Sequence, residues 1–307
     1  MRILLVRNDN LGDLICTTPA IEGLRKKYPE ATIDIVVNSY NYLGIRNNPF
    51  VDNIYIYTKP KHVKGFEKVK ALFGKIKIMK EIYFNKYDAS VVFRTGYSSS
   101  AEQFSNLSQA SMRIGVKGKK DTFTHHIEVF PNKHEVEFCF DCLKPLEVKY
   151  NGEKTFFYIE DEYIEKFKNY KGMILFHISA RMKENQMSFE KLKRIFDKLN
   201  QEIFITADPK DWEMARKLEN KRVKFIKTNN FLEWAGVIKN AKLFVTLEGG
   251  AMHIAPALGV KTVAIFGKSD VNRWYPWGYK ELVLQDKSKI AENIDDELIL
   301  QRIKDLR

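Results

Sequence analysis

Short apolar runs alternate with longer amphipathic ones along almost the whole chain, and the alternation goes through two complete rounds. RILLV at 2–6, TIDIVV at 32–37, NIYIY at 53–57 and DASVVF at 88–93 belong to the first round. MILFHI at 173–178, EIFIT at 202–206, 223–226, KLFVT at 242–246, KTVAIF at 261–266 and 282–285 belong to the second. Runs this apolar suit strands buried on both faces of a parallel sheet. The stretches near 14–27, 66–84, 98–110, 134–144, 188–199, 209–219, 231–239, 250–258 and 293–305 read as helices. Parallel strands need such crossovers. The chain is therefore read as α/β, and its 307 residues suit two domains of ordinary size. Between about 145 and 172 the alternation lapses into a charged, Tyr-rich connector, for which one short strand and a helix are expected. The expected division is an N-terminal Rossmann-like domain, 1–160, and a C-terminal one, 161–307, with the ligand in a cleft between them.

In open α/β sheets ligands bind beyond the carboxyl ends of the strands. The first strand runs into Arg7-Asn8-Asp9-Asn10-Leu11-Gly12-Asp13, with Leu14, Ile15, Thr18, Ile21 and Leu24 following at helical spacing. Asn and Asp tolerate unusual backbone angles, and Gly12 permits close approach. Asp13 has two readings: a first-turn acid favoured by the helix dipole, or a carboxylate facing a ligand. The second informative stretch is FVTLEGGAMHIAPALGVKTVAIFGKSD, 244–270. Gly249 and Gly250 open a helix that carries His253, and the next strand ends in Phe266-Gly267-Lys268-Ser269. A Gly pair opening a helix leaves main-chain N–H groups for an anion. That suits a diphosphate bound without a metal; a tight turn with a core His is the alternative. A GxGxxG after the first strand and a P-loop Lys are both missing, which counts against dehydrogenases and P-loop kinases.

The formal charge is +12, so polyanions and phosphorylated substrates are the partners to expect. From Lys59 to Lys80 the chain carries eight Lys and one acid, Glu67, interleaved with Val63, Phe66, Val69, Leu72, Phe73, Ile76 and Ile78. Such a segment is either a basic amphipathic helix on an anionic membrane surface or the solvated face of an ordinary Lys-rich helix. No nucleic-acid module motif is present, so nucleic acid is not expected as a partner. No run approaches the length of a membrane span, and no signal peptide is read at the N-terminus. Cys16, Cys139 and Cys142 cannot form a disulfide framework and suit a reducing cytosol. The last two have redox-motif spacing but sit within one amphipathic helix, as ordinary thiols do.

Taken together, Arg7, Leu11-Gly12-Asp13, Thr17-Thr18-Pro19, the Gly-Gly-x-x-His-x-Ala-x-Ala-Leu-Gly run at 249–259 and Phe266-Gly267 resemble glycosyltransferase family 9, the lipopolysaccharide heptosyltransferases. The resemblance implies a GT-B fold, with the acceptor on the N-terminal domain and the nucleotide-sugar on the C-terminal one. It implies inverting, metal-independent transfer of heptose from ADP-heptose to a phosphorylated glycolipid, with no cofactor, at the cytoplasmic face of the inner membrane. Asp13 matches the family's catalytic Asp. Donor binding is expected from Ser179, Arg181, Lys183, Glu248, Gly249, Gly250, His253, Lys268 and Ser269, and acceptor binding from Asn10, Gly12, Lys64, Arg94 and Arg113. Trp274, Pro276 and Trp277 form an aromatic loop that packs either on the nucleotide or only on its own loop. Two departures stand out. Glu248-Gly249 replaces the family's Asp followed by Ser or Thr, and Asn185-Gln186-Met187 replaces Lys-x-Trp. Both bear on the donor sugar more than on the reaction. A transferase using another nucleotide-sugar for capsule or a protein glycan, and a non-catalytic sugar-nucleotide scaffold, are the competing readings.

Overall fold

In the computed structural model, residues 1–60, 63–118 and 122–306 are described, and the chain divides into two units, Met1–Tyr158 and Ile159–Arg307. The first holds β1 (Arg2–Val6), α1 (Leu11–Lys27), β2 (Thr32–Asn38), β3 (Asn53–Tyr57), α2 (Phe66–Asn85), β4 (Ala89–Val92), α3 (Ser99–Leu107), β5 (Met112–Gly115), β6 (His125–His126) and α4 (Glu135–Cys142). Its sheet is parallel throughout, in the order β3-β2-β1-β4-β5-β6. The second holds α5 (Asp161–Lys166), β7 (Met173–His177), α6 (Phe189–Lys198), β8 (Ile203–Thr206), α7 (Trp212–Leu218), β9 (Val223–Phe225), α8 (Phe231–Lys239), β10 (Ala241–Leu247), α9 (Ala251–Ala257), β11 (Lys261–Phe266), α10 (Val271–Trp274), β12 (Val283–Gln285) and α11 (Asp296–Lys304). Its order is β12-β11-β10-β7-β8-β9, again parallel. Each sheet is doubly wound, the architecture expected from the alternation. In each, the winding reverses beside the first strand: between β1 and β4, and between β7 and β10. A reversal of this kind opens a crevice for a ligand at the strand ends.

The central strands β1, β4, β7 and β10 are buried almost throughout, which is why they read as continuous apolar runs. In the second unit one core joins Ile174, Phe176, Leu243, Val245, Val263 and Ile265 from the sheet to Leu192, Ile195 and Phe196 of α6 and to Ile299, Leu300 and Ile303 of α11.

Every expected strand is present, but β5 and β6 were not expected. β6 has only two residues, and β5 spans MRIG, whose run is too short and mixed to stand out. The connector does supply a helix, α5, but no strand among its described residues. Thr155 and Phe157 are buried, while the Phe156 N–H donates to Thr18 Oγ1 on α1 instead of to a strand. α1 begins at Leu11, earlier than its apolar spacing suggests, because Asn10 caps it. Pro19 lies inside α1 and has no N–H for the Ile15 carbonyl; Thr18 Oγ1 donates to that carbonyl at 2.7 Å. All three cysteines are buried, and burial pushes the Cys16 and Cys142 thiols up, away from reactive thiolate. No helix of the described residues is long and apolar enough to cross a membrane.

Candidate functional site

At the end of β1 the chain places a guanidinium where the strand would otherwise stay apolar. Arg7 is 1% exposed. A charge so buried needs carboxylates around it. Its Nη2 lies 3.0 Å from Asp13 Oδ1 and 2.7 Å from Glu135 Oε1, and its Nε lies 2.9 Å from Asp9 Oδ1, without hydrogen-bond alignment. Nη1 donates to the Phe93 carbonyl beyond β4. The loop carrying these acids is fixed from several sides. Asn8 Nδ2 donates to Tyr57 Oη and Ser100 Oγ, Asn38 Nδ2 to the Asp9 carbonyl, Asn41 Nδ2 to the Arg7 carbonyl, and Lys59 Nζ to the Asn8 carbonyl.

Asp13 is the third residue of α1, and its Oδ2 accepts from the Asn10 N–H at 3.2 Å. Its side chain is 14% exposed, so an incoming hydroxyl can reach it. Arg94 follows β4 and stands at the same edge, 3.5 Å from Asp9 and donating to Asn8 Oδ1 at 3.2 Å. Asn10, Asp13 and Arg94 are thus brought together, with Gly12 in the same helical turn. Arg113 is not among them. It pairs in register with Ser90, level with Leu4 in mid-sheet, and its guanidinium donates to the Ala110 and Thr122 carbonyls. Its role there is to hold the β5 edge. Lys64 is exposed, ahead of α2. Lys61 and His62, within the Lys59–Lys80 run, lie outside the described residues.

In the second unit β7 ends at His177, which is buried. Nδ1 lies 3.2 Å from Thr206 Oγ1, Nε2 lies 3.8 Å from Asp208 Oδ1, and the ring packs 5.1 Å from that of Trp234. Ser179 Oγ accepts from the Asp208 N–H at 2.8 Å, while Arg181 and Lys183 are exposed in the loop that follows. After β10, Glu248 is buried and accepts from the Ser269 N–H at 3.2 Å and from Ser269 Oγ. Lys268 donates its N–H to Asn185 Oδ1 at 2.9 Å, and its Nζ lies 3.2 Å from Glu184. Asn185 is buried, and Met187, where the family has Trp, belongs to the core. A Cβ on Gly267 would lie 2.2 Å from the Glu184 carbonyl oxygen, so this turn closes only over glycine. Gly249 and Gly250 are exposed, with open space where a Cβ would project, and Gly250 has φ −58°. Neither packing nor backbone strain requires glycine at either position. His253 is buried on α9, 6.1 Å edge-on to Trp274, which packs on the Met252, Ala264 and Phe266 cluster. Among the described residues no group of three or more His, Cys, Asp or Glu could hold a metal ion.

Asp9, Glu135, His177, Thr206 and Trp234 are additions to the sequence-derived set. Arg7 had a visible signal, a charge ending a buried strand. Glu135 lies 128 residues away and had none.

Burial pushes the Asp9 carboxyl up to about 6 against the pull of Arg7, and pushes His177 down to about 4. The two act on stability in opposite senses. Asp9 holds its proton more tightly folded than unfolded, so its contribution is full below about pH 4 and lost as pH rises through about 6. His177 releases its proton more readily when folded, so its contribution is full above about pH 6.5 and lost as pH falls through about 4. Each effect is on the order of 3 kcal/mol. Relative to the native chain, Asp9→Asn should make stability rise more steeply with pH between about 4 and 6. His177→Gln should make it fall across the same window. Urea denaturation at a series of pH values reads both slopes; parallel profiles for the two variants would refute the assignment.

Comparison with known proteins bears on the family and the fold. The family model "Glycosyltransferase family 9 (heptosyltransferase)" matches residues 76–301, well over half of the chain, starting within α2 and so after the Leu11-Gly12-Asp13 turn. "Lipopolysaccharide heptosyltransferase 3" of Escherichia coli K12 is 24% identical over 287 residues, covering 87% of this chain and 82% of that one. A glycosyl transferase family 9 structure from Veillonella parvula superposes with TM-score 0.84 at 21% identity, over 99% of this chain and 96% of that one. E. coli heptosyltransferase WaaC with ADP-2-deoxy-2-fluoro heptose superposes with TM-score 0.80 at 18% identity, over 100% of both. These structural likenesses establish the fold as GT-B.

Proposed function

Because the chain belongs to glycosyltransferase family 9, the heptosyltransferases, and is a glycosyltransferase, we propose that it moves heptose from ADP-heptose onto a phosphorylated, lipid-linked acceptor of lipopolysaccharide-core type. The observation that carries the reading is Asp13, a reachable carboxylate pinned by buried Arg7 where the winding of the first sheet reverses. The name of the E. coli relative and the ADP-heptose analogue bound to WaaC support the choice of substrates.

The transfer is inverting. Asp13 takes the acceptor hydroxyl's proton as that oxygen bonds to the anomeric carbon; the bond from that carbon to the phosphate oxygen breaks, and ADP leaves with the electron pair. Arg94 and Asn10 face the acceptor beside Asp13. Negative charge developing on the diphosphate is met by the main-chain N–H groups at Gly249 and Gly250 and by Lys268, with Arg181 and Lys183 free to turn toward it, and no metal is required. Glu248 and Ser269, joined to each other, face the donor. Acting on a lipid-linked acceptor, the protein works at the cytoplasmic face of the inner membrane.

A different donor is favoured by one observation: Asn185 spends its side chain on the Lys268 N–H, where the family's Lys is a phosphate-binding cation. Isothermal titration with ADP, UDP, GDP and CMP, with EDTA and then with magnesium, separates the readings. Selective ADP binding in EDTA is expected. Gly249→Ala should lower ADP affinity tenfold or more with Tm unchanged, since the added methyl meets only open space in the protein. Preference for another nucleotide would move the donor, and binding to none would overturn the nucleotide-sugar reading itself.

A further inference from the structure

α2 has two apolar faces, and its own unit uses only one. Ala71, Ile78 and Ile82 are buried toward the first unit. Lys75 turns the same way: its Nζ donates to Gln103 Oε1 and lies over the rings of Tyr57 and Phe104, and burial draws its pKa down. At 3.6 residues per turn, Phe66, Val69, Leu72, Phe73, Ile76 and Phe84 fall on the opposite side. All are exposed, Phe66, Phe73 and Phe84 at 71%, 67% and 75%. Isolated exposed apolar residues are ordinary, but a continuous stripe of aromatic and aliphatic side chains over the length of a helix marks an interaction surface.

The charges choose the partner. α2 carries five Lys against two Glu. On the wheel Lys80 lies within the stripe and Lys70 and Lys77 along one margin; Lys70 Nζ lies 2.8 Å from Glu67 and Lys77 Nζ 3.9 Å from Glu81, exposed pairs weak enough for anionic headgroups to compete with. A second copy of the same stripe would set these lysines against one another. A bilayer with anionic headgroups accepts both the aromatic side chains and the ammonium groups. We infer that the outer face of α2 seats this protein on an anionic lipid surface, with Phe73 and Phe84 in the acyl boundary and Lys70, Lys77 and Lys80 among the headgroups. The inference rests on the proposed lipid-linked acceptor for its purpose: seating brings the enzyme to a substrate that does not leave the membrane.

The full chain is to be sedimented with vesicles of phosphatidylethanolamine and phosphatidylglycerol, and with vesicles of phosphatidylcholine alone. Binding to the anionic vesicles at least tenfold tighter is expected. Phe73→Glu/Phe84→Glu and, separately, Lys77→Glu/Lys80→Glu should each reduce it tenfold or more, with Tm and nucleotide binding unchanged because these side chains are exposed. Vesicle binding equal in native chain and variants would overturn the inference. So would a native dimer in analytical ultracentrifugation that Phe73→Glu/Phe84→Glu dissociates. Transfer to a water-soluble truncated acceptor is read in parallel and should be kept by both variants. Its absence in the native chain would count against the proposed reaction and leave the vesicle result to decide the surface.

Discussion

Asp13→Asn should lower the rate of transfer by about three orders of magnitude, within the range that a positioned general base supplies, while ADP binds as before. The amide is nearly isosteric and its oxygen can still accept from the Asn10 N–H, so the start of α1 is kept. What it cannot do is accept a proton. Arg7 retains Asp9 and Glu135, so the loss of one ion pair does not strip the buried guanidinium of its partners. The two readings of Asp13, helix acid and reacting base, therefore separate cleanly. A helix acid predicts a change of about 1 kcal/mol in stability and an ordinary rate. A base predicts a collapsed kcat beside the same loss of the Arg7 ion pair. ADP release in the presence of acceptor, beside a titration with ADP, measures both. A rate within tenfold of the native value would leave Asp13 as a cap alone, and another group would have to take the proton.

The route from sequence to this carboxylate shows which features are legible. Strands β1, β7 and β10 were plain because both their faces are buried, and a doubly buried strand has no choice of composition. Asp13 was legible because it follows such a strand at the point where a helix must start. Position along the chain thus located the edge of each sheet. Position did not reveal register, and Arg113 was misplaced for that reason: only its pairing with Ser90 puts it in mid-sheet, and β5 itself was too short to read. Nor did it reveal what long-range contact decides. Glu135 looks like a first-turn acid of α4, yet it is 2% exposed and bonded to Arg7. Asn185 looked like a lost cation, but the side chain has other work, receiving the Lys268 N–H beside a glycine that no larger residue could replace. The stripe on α2 was legible as composition; that it faces away from its own unit required the fold.

Arg7→Met should destabilise the first unit by about 3–5 kcal/mol at neutral pH, the usual cost of removing one partner from a buried ion pair. Methionine fills much of the same space, so the loss is electrostatic. Asp9, Asp13 and Glu135 would remain close together, with Arg94 3.5 Å from Asp9. Without Arg7, Asp9 loses the charge that opposes its burial, so its folded pKa rises further above the unfolded one. Stability lost at pH 7 should then return in part as pH falls through that raised value, the opposite of ordinary acid denaturation. Pairing Arg7→Met with Glu135→Gln removes one of the three clustered carboxylates and should recover part of the loss, a coupling that a double-mutant cycle reads directly. Arg7→Lys is the complementary test. It keeps the charge but not the planar fork that reaches Asp9, Asp13 and Glu135 at once. If the guanidinium's task is to aim Asp13, Arg7→Lys should fold with a smaller loss than Arg7→Met and still show a reduced kcat with ADP affinity intact. If its task is only to neutralise buried acids, Arg7→Lys should turn over at the native rate. The outcome decides whether the charge buried beneath this site serves the fold alone or holds the base in line with its substrate.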